Sequence, residues 1–179
     1  MQKIDKTLNS QEQLFAIYRS YKKIGTCVFH VEDRQKVGRN QQSIYPNSWF
    51  ANKKSEHVFP FLKITGLETM GQKKQGNGRL CLQALLECAI RNGCGGRMLV
   101  EAAFNSAPFY EHCGFEGGEV GQDGIKYFDP TEKNLSLLYK GTEQAGRFKF
   151  IPLSPQNSDT DKELFNRMLM NAQNKRQRS

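Results

Sequence analysis

The residues whose types and spacing point most directly to chemistry stand between 71 and 79, in Gly71-Gln72-Lys73-Lys74-Gln75-Gly76-Asn77-Gly78-Arg79, directly ahead of an apolar run. A helix that starts here exposes unpaired backbone N–H groups and a partial positive charge at its head. Glycines let the chain curl until several of those groups converge on one anion, which makes a phosphate cradle. Lys73, Lys74 and Arg79 add charge suited to a di- or triphosphorylated ligand. The spacing fits neither nucleotide signature. The Walker pattern requires G-x-x-x-x-G-K-[ST], and the dinucleotide fingerprint needs a glycine where Cys81 stands. Taken alone, a G-x-G ahead of a helix serves equally well as a tight turn.

A second constellation is Asn105-Ser106-Ala107-Pro108-Phe109-Tyr110-Glu111-His112-Cys113-Gly114-Phe115. His112 beside Cys113 suggests a nucleophile and base, but neighbours on a helix point in different directions. Cys27, Cys81, Cys88, Cys94 and Cys113 are odd in number and contain no C-x-x-C pair, which argues against a disulfide framework and a four-cysteine zinc site. His30, His57 and His112 are scattered singly, so no metal is expected.

Around these motifs the apolar pattern predicts the elements that must position them. Residues 10–21 read as a short helix with Ser10 as N-cap, and 24–31 as a strand rich in β-branched and aromatic residues. A strand is expected around 43–50, and a long one over 57–69 with Pro60 near its start. Leu82, Leu85, Leu86 and Ala89 fall on one helix face, Cys81 and Cys88 widen it as packing residues, and Gly93 ends it. Residues 97–103 form the next strand. Residues 106–113 form a short helix with Pro108 in its first turn and Gly114 past its end. Residues 124–128 and 135–140 read as a hairpin, and 158–172 as a helix with Leu164, Phe165, Met168 and Leu169 in a narrow stripe.

The whole chain has 179 residues and a formal charge of +8, enough for one domain, and no run approaches a membrane span. The expected division is a single domain over 1–145 and a polar C-terminal extension with a helix over 146–179. No apolar segment follows the basic start, and with the cysteine usage this gives a cytoplasmic expectation. The positive balance alone suits nucleic acid, an anionic surface or a phosphorylated ligand about equally.

The strand ending near Thr69, the Lys73-x-x-Gly76-x-Gly78 turn, the long helix, the following strand and the Phe109-Tyr110-x-x-x-Gly114-Phe115 helix end together resemble the GCN5-related N-acetyltransferase (GNAT) family. The likeness spans residues 57–115 and extends less closely to 140. The family begins its turn with Gln or Arg; here that place holds Lys73, with Gln72 one residue earlier. The resemblance implies an α/β fold with a mixed, mostly antiparallel central sheet whose central strands splay, flanked by helices. It implies acetyl-CoA as co-substrate. Backbone amides over Lys74, Gln75, Gly76, Asn77, Gly78 and Arg79 would hold the diphosphate beside Lys73. The pantetheine arm would lie between the splayed strands at Leu67–Thr69 and Leu99–Ala102, with Asn105 bonding nearby, and Tyr110 would be the general acid.

Transfer of an acetyl group from a thioester to an amine needs a deprotonated amine, a stabilised oxyanion and a protonated leaving thiolate. A lysine-like amine with pKa about 10.4 is mostly charged at pH 7, so a base is useful. A strand N–H near Leu67 or Glu68 would serve the oxyanion. A neutral tyrosine can protonate a thiolate whose acid has pKa about 8.5. Among Glu56, His57, Glu68 and Glu101, Glu68 lies nearest the expected thioester and is the expected base. The acceptor is a small-molecule or peptide amine. The alternative is a non-catalytic CoA-binding regulator or protein-interaction module of the same fold. A nucleic-acid binder ranks third, since no helix-turn-helix, zinc or RNA-binding signature accompanies the basic residues. A membrane partner is not expected, and the 164–169 stripe would dock on its own core or on a second copy as a homodimer.

Overall fold

The computed structural model describes residues 13–33, 45–52, 54–71, 76–102, 105–117, 124–141 and 148–152. Its elements run β1 (Gln13–Arg19), β2 (Lys22–Glu32), a 3-10 turn (Asn47–Trp49), β3 (Phe61–Thr69), α1 (Asn77–Arg91), β4 (Met98–Ala102), α2 (Ala107–His112), β5 (Gly124–Phe128), α3 (Glu132–Leu138) and β6 (Phe148–Pro152). The strands make one six-stranded sheet in the order β5-β4-β3-β2-β1-β6. Pairs β1–β2, β1–β6 and β4–β5 are antiparallel. Helix α1 lies in the chain between β3 and its sheet neighbour β4. The fold class is thus the mixed, mostly antiparallel α/β sheet with flanking helices that was expected.

The chain divides into two compact units. Among the described residues the first contains β1, β2 to His30, β3 from Ile64, the head of α1 to Ala84, and β6. Here the structure corrects the helix expected over 10–21. Leu14, Phe15, Ala16 and Ile17 are all buried in succession. One face of a helix cannot hide four consecutive residues, whereas a strand covered on both sides can. Tyr18-Arg19-Ser20-Tyr21-Lys22-Lys23 is therefore a hairpin, closed at Arg19 opposite Lys22, with Ser20 at φ 55°. Ser10, its expected cap, lies outside the described residues. Strand β2 matches its expected core, with Ile24 through Phe29 buried. Strand β6 falls within the segment read as a polar extension. Its Phe150 packs edge-on to Phe15 and Phe29, which stack on each other at 5.0 Å. The helix expected over 158–172 lies outside the described residues.

The second unit holds β3 up to Lys63, the rest of α1, β4, α2, β5 and α3. Two expected strands are corrected here. Asn47–Trp49 is a 3-10 turn, and Phe50 makes only an isolated bridge to Val58. The long strand begins at Phe61, not His57, because Pro60 lacks the N–H that a ladder needs. The expected 124–140 hairpin is also absent: β5 pairs with β4, and 135–140 belongs mainly to α3. Thr131 explains the difference. Its side chain accepts from the Asn134 N–H at 3.2 Å and caps the helix, while Asn134 Nδ2 donates to Asp129 O at 2.9 Å. This unit is centred on Trp49, Val58, Phe61, Leu99 and Tyr127, with Tyr45 and Phe50 packed against them.

Candidate functional site

In the first unit, β3 hands over to the expected cradle at Gly71 and α1 receives the chain at Gly76. Both glycines are left-handed, at φ 90° and 79°, a conformation that costs other residues strain. Gln72, Lys73, Lys74 and Gln75 lie outside the described residues. The strand end is fixed by the Met70 N–H donating to Ile24 O at 2.9 Å. Asn77 Nδ2 donates to Met70 O at 2.6 Å, which ties the first helical residue back to the strand it came from. Leu80 N–H then closes the first helical bond on Gly76 O at 3.1 Å. Helix α1 has no acidic residue in its first turn, so no side-chain carboxylate there competes for its amides. Gly76 is exposed, and a β-carbon placed on it would meet no described residue within 4 Å. Gly78 and Arg79 follow on the half-buried first turn of α1, while Leu67 and Glu68 are half-buried and Thr69 is exposed at the end of β3. The unit thus brings Leu67, Glu68, Thr69, Gly76, Asn77, Gly78 and Arg79 to one strand–turn–helix.

Gly25, which the sequence reading passed over, makes this junction close. A β-carbon there would stand 2.6 Å from Cys81 Sγ and 2.7 Å from Glu68 O, so β2 lies close against the Cys81 side chain of α1 and the backbone at the end of β3. Its signal in the sequence is a lone glycine inside a strand, which marks close backbone approach. Cys81 itself is packing, as expected: it is buried, its thiol donates to Ile24 O at 3.7 Å, and burial pushes its pKa up to about 12. Cys88 and Cys94 are raised to about 12 by the same cause.

The second unit contains the other expected site residues. Asn105 is exposed and left-handed at φ 64°. Tyr110 sits in the last turn of α2 and is 7% exposed. Its ring stacks on Phe115 at 5.3 Å, and Phe115 in turn meets Phe128 at 5.3 Å. Gly114, at φ 95°, ends the helix where a β-carbon would lie 2.6 Å from Asn134 O. Of the other carboxylates weighed as a base, Glu101 pairs with Lys63 at 3.6 Å. Glu56 and His57 are exposed.

Sequence reasoning also missed the polar interior of this unit. Lys126 is buried, and its ammonium donates to Glu111 Oε1 at 3.0 Å and to Gly117 O at 2.6 Å. In the aromatic centre, Trp49 Nε1 and Tyr127 Oη are buried with no hydrogen-bond partner among the described residues, and burial raises the Tyr127 phenol well above its ordinary value. No group of three or more His, Cys, Asp or Glu among the described residues is placed to hold a metal ion. No helix among them is long and apolar enough to cross a membrane.

No protein-family model matches the chain, and no curated protein matches it. Among solved structures it is similar to the Bacillus subtilis N-acetyltransferase YlbP in complex with coenzyme A, with a TM-score of 0.40 and 14% identity over 70% of this chain and 77% of that one.

Proposed function

We propose that the chain is an acetyl-CoA-dependent N-acetyltransferase of the GCN5-related type, acting on a primary amine by direct attack in a ternary complex. The observation that supports it most is the junction of β3 and α1. Two left-handed glycines bracket the turn, no described residue crowds a β-carbon on Gly76, and a 15-residue helix starts there with no acid in its first turn. Strand β4 and a short tyrosine-bearing helix then follow in the order the sequence motifs require.

In this reading the amides at the head of α1, with Lys73, Lys74 and Arg79, hold the diphosphate. The N–H groups near Leu67 and Glu68 polarise the thioester carbonyl. Glu68, directly or through water, takes the amine proton. The new N–C bond forms as the C–S bond breaks, and Tyr110 gives its proton to the departing thiolate. A positioned acid of this kind is worth roughly 10²–10⁴ in rate.

The test is a screen of primary amines with acetyl-CoA, read as free thiol released, repeated with Tyr110→Phe. The proposal expects amine-dependent release that falls about a hundredfold in the variant with cofactor affinity kept. A non-catalytic CoA-binding module is the second reading, favoured by Tyr110 being 7% exposed and held in an aromatic stack. That reading expects CoA binding, no amine-dependent release, and no effect of Tyr110→Phe.

A further inference from the structure

Lys126 is the single charged side chain that the described residues bury, at 1% exposure, and the mechanism above gives it no role. It rises from the middle of β5, at the position paired with Val100. From there its ammonium grips two points: the carboxylate of Glu111 at 3.0 Å, and the Gly117 carbonyl at 2.6 Å, on the segment leaving α2. Glu111 adjoins Tyr110.

Helix α2 has six residues, too few to hold a conformation by its own backbone bonds, so its orientation is set by what fastens it. The Tyr110–Phe115 stack and the close seat of Gly114 on Asn134 are apolar or steric. The Lys126 contacts are directional, and one joins full charges, the stronger kind of hydrogen bond. Stability alone does not account for a lysine here. An apolar side chain would fill the site without the cost of stripping water from an ammonium, and exchanging buried pairs for apolar residues is often neutral or stabilising.

We infer that Lys126 is a positioning residue: through Glu111 and the Gly117 carbonyl it fixes the roll of α2, and with it the direction of the Tyr110 hydroxyl. This rests on the reading of Tyr110 as general acid. The experiment is a double-mutant cycle on the full chain, measuring kcat for thiol release, acetyl-CoA affinity and thermal unfolding for Lys126→Met, Tyr110→Phe and the double variant.

Lys126→Met lowers kcat at least about tenfold, as small misplacements of a reacting group do, with acetyl-CoA affinity within twofold of wild type. In the Tyr110→Phe background it lowers kcat no further, because the group it positions is gone. Should Lys126→Met fail to fold, Glu111→Gln, at a half-exposed carboxylate that keeps an acceptor, carries the same cycle with a severalfold loss that vanishes beside Tyr110→Phe. An equal loss in both backgrounds would make Lys126 a stability element only, and an unchanged kcat would overturn the inference outright. A failure of the acid assignment is distinguishable, since it shows in Tyr110→Phe alone as unchanged kcat.

Discussion

Replacing Gly25 by alanine should destabilise the protein by about 2–3 kcal/mol, in the upper part of the range for overpacked sites. The added methyl would stand 2.6 Å from Cys81 Sγ and 2.7 Å from Glu68 O, against the 3.4 Å at which ordinary contact begins. Neither obstacle yields easily. The sulfur belongs to a fully buried residue of α1, and the oxygen is backbone in β3. For a chain of this size each kcal/mol lowers Tm by about 2–4 °C, so thermal unfolding followed by circular dichroism should shift down by about 4–12 °C. Adding Cys81→Ala removes one of the two collisions and should recover part of the loss, a non-additivity of about 1 kcal/mol. A Gly25→Ala variant that melts within 1 °C or so of wild type would refute the close approach of β2 to α1 and β3.

Alkaline pH should weaken the fold through its buried thiols. Cys81, Cys88 and Cys94 rise from 9.0 to about 12, so between those values the unfolded chain loses protons that the native one keeps. Stability should therefore be intact below pH 9 and fall above it, by about 1.4 kcal/mol per pH unit for each thiol, as urea titrations across that window will show. By the same token, a thiol reagent at pH 8 should label native protein far more slowly than urea-unfolded protein. Thr131→Ala removes the acceptor that caps α3 and should cost about 1 kcal/mol by urea denaturation. Gly114→Ala forces a β-carbon to 2.6 Å from Asn134 O at φ 95° and should lower Tm more than Thr131→Ala does.

The elements around the candidate site were the most legible part of the sequence. Helix periodicity at Leu82, Leu85, Leu86 and Ala89 and the terminating Gly93 mark α1 within a residue or two, and Pro108 with Gly114 brackets α2. What misled were short apolar runs. Leu14-Phe15-Ala16-Ile17 has no period that separates a helix from a doubly covered strand, and only its pairing with β2 and β6 decides it. Leu135-Ser136-Leu137-Leu138 reads as a strand until the Thr131 cap is seen to start a helix. Strand β6 was hidden because its partner lies far away in sequence and its flanks are polar. At the site, Gly71 and Gly76 were legible because the turn holds them at positive φ, whereas Gly78 is an ordinary residue of α1. Lys126 was not, since a lysine between Ile125 and Tyr127 looks like an ordinary solvated residue until the Glu111 carboxylate is folded onto it.

Isothermal titration of CoA into wild type, Gly76→Asn and Gly76→Asp tests the diphosphate cradle most directly. No described residue obstructs either side chain at this left-handed position, where Asn and Asp are tolerated better than other residues, and they differ mainly in charge. An anion held by the head of α1 predicts affinity within severalfold of wild type for Asn, and at least about tenfold weaker for Asp, a difference of about 1.4 kcal/mol that shrinks as salt is raised. Equal CoA affinity in the Asn and Asp variants, or no CoA binding by the wild-type chain, would contradict it.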